Sequence, residues 1–333
     1  MSVAKLLNWT LAQLNIGAND DYCWAAVSGD ASFRHYYRLE SNGRSYIVVS
    51  APPEKEKNHE FVAIADGLRA SGVLTPEIIA VDYQQGFILQ QDLGDQLLLP
   101  LLNEGNVDGW YAQAMDSMLR LSQSALSDLP VYGVSLLSNE FALFAEWFVS
   151  RELDYTLSAK ESALLASLND ILVASAQQQP QVVVHRDYHA RNIMIVGKQL
   201  GVIDFQDAVL GPVSYDLVSL LKDCYVRWPR EQVVAWVEQY RLSYQALTGQ
   251  SFDTGQWLRW FDLMGLQRHI KVLGIFCRLW LRDGKEAYLV DLPRVIAYVE
   301  EVAGLYPELE SFSKWFSETI LPLAEQQPWF QRS

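Results

Sequence analysis

The residues most able to do chemistry in this 333-residue chain lie in one short stretch. It reads His185-Arg186-Asp187-Tyr188-His189-Ala190-Arg191-Asn192, followed by Ile203-Asp204-Phe205-Gln206-Asp207. Moving a phosphoryl group onto an alcohol needs a carboxylate beside the acceptor hydroxyl to take its proton. It also needs oxygen ligands for a Mg²⁺ ion that neutralises the phosphates. Asp187 and Asn192 share one tight loop, with the carboxylate turned outward and the amide toward a metal. Asp204 ends the apolar run Leu200–Phe205, where its side chain can face the same point. With each residue type at about one position in twenty, a chance His-Arg-Asp-x-x-x-x-Asn match in such a chain is on the order of a few in a thousand. The plain alternative is a set of turn residues, which Asp and Asn often are. Four residue types at fixed spacing weigh against it.

Local patterns indicate the elements that must hold this loop. The stretch 1–19 reads as a short amphipathic helix. Short β-type runs follow at Tyr36–Glu40, Tyr46–Ser50 and Phe87–Gln91, separated by the turns Ser28-Gly29-Asp30, Ser41-Asn42-Gly43 and Gln85-Gly86. His59–Ala70 places Phe61, Ile64, Ala65 and Leu68 at helical spacing. Trp110–Leu126, Glu140–Leu157 and 160–177 read as helices. A β-rich island follows (Val182–Val184, Ile193–Val196, Leu200–Phe205), then a helical, Trp-rich stretch from Tyr215 to about residue 328. The expected organisation is α+β and two-lobed. A small β-rich lobe spans 1–95 with a hinge near 90–95, and a larger helical lobe spans 96–333 and carries the loop 185–207.

Composition narrows the function. With 26 basic against 40 acidic residues the net charge is -14, so nucleic-acid backbones and anionic membrane surfaces are disfavoured partners. Half the residues are hydrophobic, ample for a substantial core, and no apolar run reaches the roughly 20 residues of a spanning helix. Cys23, Cys224 and Cys277 form no close pair, which supports neither a disulfide framework nor a zinc site. The N-terminus lacks the apolar core and cleavage site of a signal peptide. The expectation is a cytoplasmic protein with a small-molecule substrate and no obligate protein partner.

The stretch His185–Asn192 with Asp204 has the composition and order of the protein-kinase signature, and with Asp207 it resembles the catalytic segment of the aminoglycoside phosphotransferase family. Gly211-Pro212-Val213-Ser214-Tyr215-Asp216-Leu217 is similar as well. Ala31-Ser32-Phe33-Arg34, Ser50-Ala51-Pro52-Pro53, Gln91-Asp92-Leu93-Gly94-Asp95 and Arg268–Phe276 resemble one branch of it, which includes a cell-wall-recycling kinase acting on the anomeric hydroxyl of N-acetylmuramate and N-acetylglucosamine. The resemblance covers nearly the whole chain. It implies a protein-kinase-like fold using ATP and Mg²⁺, with Asp187 as general base and Asn192 and Asp204 as metal ligands. The hairpin around Ser28, Ser32 and Arg34 would cover the phosphates, and Gln90, Gln91 and Asp92 would present backbone groups to adenine. From their positions, His185, His189 and Asp216 are read as supports of the loop, and Asp207 either as a contact to metal or acceptor or as a brace of the loop.

Two departures follow. The strand Tyr46–Ser50 lacks the Lys that kinases place on their third strand. Arg34, Arg38 or Lys55 are candidates to supply that charge, with Glu60 as the helix carboxylate. No Ala-Pro-Glu follows Asp204, which leaves little room for a protein substrate. In the stretch Gln267–Arg278, read as a helix, Arg268, Lys271 and Arg278 fall within about 80° of one another at 100° per residue. One reading is a site for an anionic acceptor such as a lactyl-carboxylate sugar; the other is a set of salt bridges to neighbouring helices. Aminoglycosides, choline-like alcohols, homoserine and thiosugars are the rival acceptors. A catalytically silent nucleotide-binding regulator is the rival of another class.

Overall fold

The computed structural model describes residues 3–17, 19–27 and 33–330. In chain order the elements are α1 (Val3–Gln13), β1 (Tyr22–Val27), β2 (His35–Ser41), β3 (Arg44–Ser50), α2 (Asn58–Ala70), β4 (Ile78–Asp82), β5 (Phe87–Gln91) and α3 (Val107–Ser122). Then come α4 (Val134–Leu143), a π-helical turn Phe144–Glu152, α5 (Ala159–Gln177), β6 (Gln181–Val184), β7 (Ile193–Val196), β8 (Gln199–Val202) and β9 (Val209–Pro212). Helices α6 (Tyr215–Leu221), α7 (Arg230–Thr248), α8 (Thr254–Asp283), α9 (Leu292–Ala303), α10 (Glu310–Trp315) and α11 (Leu321–Ala324) complete the chain. The class is α+β. None of the helices described is long and apolar enough to cross a membrane.

Two compact units emerge, and they are not a cut at residue 95. The first contains residues 1–128 and 190–208, the second 129–189 and 209–333. The loop of interest is therefore shared: Asp187 belongs to the second unit, Asn192 and Asp204 to the first.

The first unit is an antiparallel sheet of order β1-β2-β3-β5-β4. Asn42 (φ 52°) and Gly43 (φ 72°) join β2 to β3, the left-handed pair that a two-residue hairpin turn demands. Gly86 is obligatory for another reason: a Cβ there would stand 2.0 Å from the carbonyl oxygen of Ala51. Leu39, Val48, Phe87 and Leu89 face Leu6 of α1 to make a core beneath the sheet. The β7–β8 hairpin joins this unit through main-chain bonds from Leu98 N–H to the Ile193 carbonyl and from Val202 N–H to the Leu74 carbonyl.

The second unit is helical around α8, of whose thirty residues eighteen are buried. A helix buried on most of its circumference has no free polar face, so each charged residue on it needs a partner. Asp253 caps its start by accepting from Gln256 N–H (2.8 Å), and Gly284 ends it at φ 69°. Strands β6 and β9 pair antiparallel, Val184 opposite Val209, and carry the chain to His185.

Candidate active site

The first unit brings Asn192 and Asp204 together: Asn192 Nδ2 lies 3.3 Å from Asp204 Oδ2, and Gln206 Nε2 donates to Asp204 Oδ1 at 2.7 Å. Asp204 does not end a strand as expected. β8 stops at Val202, and Asp204 adopts φ 65°, a left-handed conformation that an L-residue holds only when its surroundings impose it. Phe205 behind it is buried and stacks on Phe61 of α2, ring centres 5.0 Å apart. Over the Phe61 ring, at 4.6 Å, lies the guanidinium of Arg34.

That guanidinium is buried and its Nε is 3.3 Å from Glu56, whose other oxygen accepts the Phe33 N–H at 3.1 Å. A cation–carboxylate pair stands in the first unit, formed by Arg34 and Glu56, while Glu60 is exposed in the first turn of α2. Burial and the Asp204 and Glu56 carboxylates outweigh Arg34 and raise the Tyr36 hydroxyl above its ordinary range, which sets Arg34, Tyr36 and Asp204 within one electrostatic neighbourhood. Arg38 is committed elsewhere: it donates to Asp92 (2.6 and 3.1 Å) and to Asp95 (2.9 Å). Lys55 sits over the Phe33 ring at 5.3 Å.

Of the expected hinge residues, Gln90 and Gln91 end β5 and Asp92 follows it. Gln90 is in register with Ile47 on one side and Ile78 on the other, and Gln91 N–H is committed to the Glu77 carbonyl at 2.8 Å. The Asp92 carboxylate accepts from Arg38, Ser45 (2.5 Å) and Gly94 N–H (2.8 Å); despite its burial these donors hold it below the usual range. Its side chain braces the sheet end. Asp207 is exposed in this unit, and Ser28 and Ser32 lie outside the described residues.

In the second unit, Asp216 at the start of α6 anchors the loop. Its two oxygens accept the N–H groups of His185 (2.7 Å) and Arg186 (3.0 Å). Burial pushes its carboxyl up to about 6, against the pull of His185 and those two N–H groups. Asp187 N–H donates to His185 Nδ1 at 3.2 Å, so that nitrogen is an acceptor and carries no proton. His189 turns its ring edge-to-face on Tyr225 and returns its N–H to the Asp187 carbonyl at 3.0 Å. Burial would raise the Asp187 carboxyl, but Lys271 above all, then His189, Arg268 and His185, hold it below its ordinary value. An ionised carboxylate is what an acceptor hydroxyl can donate to.

Sequence patterns gave no sign of the group that orders these charges. Glu140 of α4, buried, accepts from Arg186 Nη2 (2.6 Å), lies 3.1 Å from Lys271 Nζ and accepts from the Tyr132 hydroxyl. Lys271 also donates to Tyr215 at 3.0 Å. The basic stripe divides accordingly. Arg268 and Lys271 both act on Asp187, while Arg278 lies ten residues beyond Arg268, about 15 Å along the helix axis at 1.5 Å per residue.

Fold and site define a phosphotransferase of protein-kinase-like architecture. The chain belongs to the phosphotransferase enzyme family, whose model matches residues 24–260. Among its relatives, the N-acetylmuramate/N-acetylglucosamine kinase of Pseudomonas putida is 43% identical over 88% of this chain and 87% of its own. The enzyme of the same name from Neisseria meningitidis serogroup B is 36% identical over 92% of each chain. Solved structures share the fold at low identity. An ADP-bound aminoglycoside phosphotransferase superposes with a TM-score of 0.59 at 14% identity, covering 90% of this chain and 99% of its own. A Plasmodium vivax ethanolamine kinase does so with 0.61 at 11%, covering 87% and 83%.

Proposed function

We propose that this small-molecule kinase transfers the γ-phosphoryl group of ATP to the anomeric hydroxyl of N-acetylmuramate and N-acetylglucosamine. The observation that carries the reading is Asp187: a carboxylate on a loop anchored by Asp216, kept ionised by Lys271 and Arg268, five residues before Asn192. The names of relatives that match this chain over nearly their whole length supply the acceptor.

In this reading Asp187 accepts the hydrogen bond of the anomeric hydroxyl and orients its oxygen toward the γ-phosphorus. As the new O–P bond forms and the bond to the ADP leaving oxygen breaks, the hydroxyl proton passes to Asp187 and then to solvent. Asn192 and Asp204 offer an amide oxygen and a carboxylate, a hard oxygen set that would suit Mg²⁺. When bound, that ion would neutralise charge on the phosphates. Arg34, fixed by Glu56 and Phe61, is the basic residue of the first unit assigned to the nucleotide phosphates. Most of the catalysis is then positioning and charge neutralisation. Reliance on ATP fits a cytoplasmic setting.

The test is a panel of acceptors with γ-labelled ATP and purified protein. Label should appear at C1 of the two N-acetylated sugars. Labelling confined to aminoglycosides or choline-like alcohols would show that the acceptor was misassigned, and nucleotide binding without turnover on any acceptor would favour the silent regulator.

A further inference from the structure

Helix α8 carries its buried charges in pairs, with one exception. Lys271 has Glu140 at 3.1 Å, and Asp262 has Arg230 at 2.7 Å. Arg268 is only 5% exposed, yet among the described residues no carboxylate lies within ion-pair distance of it. Its Nη1 donates to Cys224 Sγ at 3.4 Å, and burial raises that thiol above its usual range, so the partner is a neutral and weak acceptor. A buried guanidinium next to a thiol alone is poorly compensated, because burial strips water from a charge that nothing of opposite sign replaces at contact distance. Its planar fork of donors matches a carboxylate.

The position of this cation gives it a target. Arg268 stands one helical turn before Lys271, Lys271 meets Glu140, and Glu140 holds Arg186, the residue before Asp187. Arg268 stands on the same helix as Lys271, and its charge is among those that hold the Asp187 carboxyl below its ordinary value. Lys271 is already engaged by Glu140 and Tyr215, and Arg278 is remote along the axis.

We propose that Arg268 is the specificity residue that grips a carboxylate on the acceptor, and so distinguishes N-acetylmuramate, which bears a lactyl carboxylate, from N-acetylglucosamine, which does not. This rests on the acceptor reading above. The anion that completes the Arg268 site arrives with the substrate, in place of a side chain of the protein.

Steady-state kinetics on both sugars with wild-type protein, Arg268→Gln and Arg268→Lys test it. Both variants alter the field on Asp187, so some activity is lost on either sugar, and the informative quantity is the ratio of kcat/KM for N-acetylmuramate to that for N-acetylglucosamine. Arg268→Gln should lower this ratio by about tenfold or more, mainly through KM, as expected for a lost charge-assisted pair. Arg268→Lys, which keeps the charge and loses the fork, should fall between. An equal loss on both sugars, or a raised KM for ATP with the ratio unchanged, would assign Arg268 to Asp187 or to the phosphates and overturn the proposal. Should Arg268→Gln fail to fold, the ratio in Arg268→Lys alone decides. Wild-type protein inactive on both sugars sinks the acceptor reading itself, whereas an active wild type with unmoved ratios sinks only the role of Arg268.

Discussion

Arg186 holds φ 75° while its Nη2 reaches Glu140 at 2.6 Å, so the residue before Asp187 combines a left-handed backbone with a side-chain tether. The conformation costs an L-residue on the order of 1 kcal/mol, and the contact with Glu140 offsets it. The tether fixes the direction in which the chain enters Asp187.

Three substitutions at this position separate backbone from side chain. Arg186→Gly accepts φ 75° freely but drops the pair with Glu140, Arg186→Ala loses both, and Arg186→Lys keeps a charge. If the tether positions Asp187, Gly and Ala should both lower kcat by about tenfold or more, with KM for ATP little changed and partial recovery in Lys. Wild-type kcat in Arg186→Gly would mean that the backbone angle alone matters.

Replacing Asp187 by Asn keeps the size and removes the charge. We expect kcat to fall by roughly three orders of magnitude, comparable to the loss of a positioned general base, while nucleotide affinity measured by calorimetry stays within a few-fold. In the same assay Asp204→Ala should abolish the dependence of nucleotide binding on Mg²⁺. Normal turnover in Asp187→Asn would remove the residue from the mechanism.

Gly274 is where α8 crosses the end of α4. A Cβ there would stand 2.4 Å from the Leu143 carbonyl carbon and 2.7 Å from Phe144 N, backbone atoms that cannot rotate away. Gly274→Ala should therefore destabilise the second unit by about 2 kcal/mol through overpacking, even though alanine is the better helix former. Urea unfolding measures this; a stabilised variant would contradict the close approach.

The Asp216 carboxyl is raised in the folded protein from an ordinary 3.8 to about 6 by burial. The folded chain therefore binds more protons than the unfolded chain between about pH 4 and 6, and this group withdraws stability as the pH rises through that window. Asp216→Asn removes the titration. Denaturant melts across pH 4 to 7 should show the difference between variant and wild type moving in favour of the variant as pH increases. A difference independent of pH would show that Asp216 does not titrate there.

Much of this was legible in the chain itself. The His185–Asn192 spacing, the Asn42-Gly43 turn and the helical pattern of 59–70 rest on local rules, in which the residues that decide the outcome are neighbours along the backbone. Strands β1, β4 and β9 escaped because they lack a clean alternation: β1 is mostly exposed, and β9 ends in a glycine and a proline, which read as a turn. The likeness of Arg278 to Arg268 and Lys271 was an angular one, which ignores how far a helix rises in ten residues.

Tertiary structure alone decided which charges meet. Glu140 finds Arg186 across 46 positions and Lys271 across 131, and Glu56 takes Arg34 where the pattern pointed to Glu60. Residue type says that a buried charge needs a partner, but which one it obtains depends on how distant helices and loops pack. For that reason the order of the amino acids specified the kind of chemistry, and the folded chain specified the carboxylate that meets Arg186 and, among the described residues, left Arg268 with a thiol as its contact.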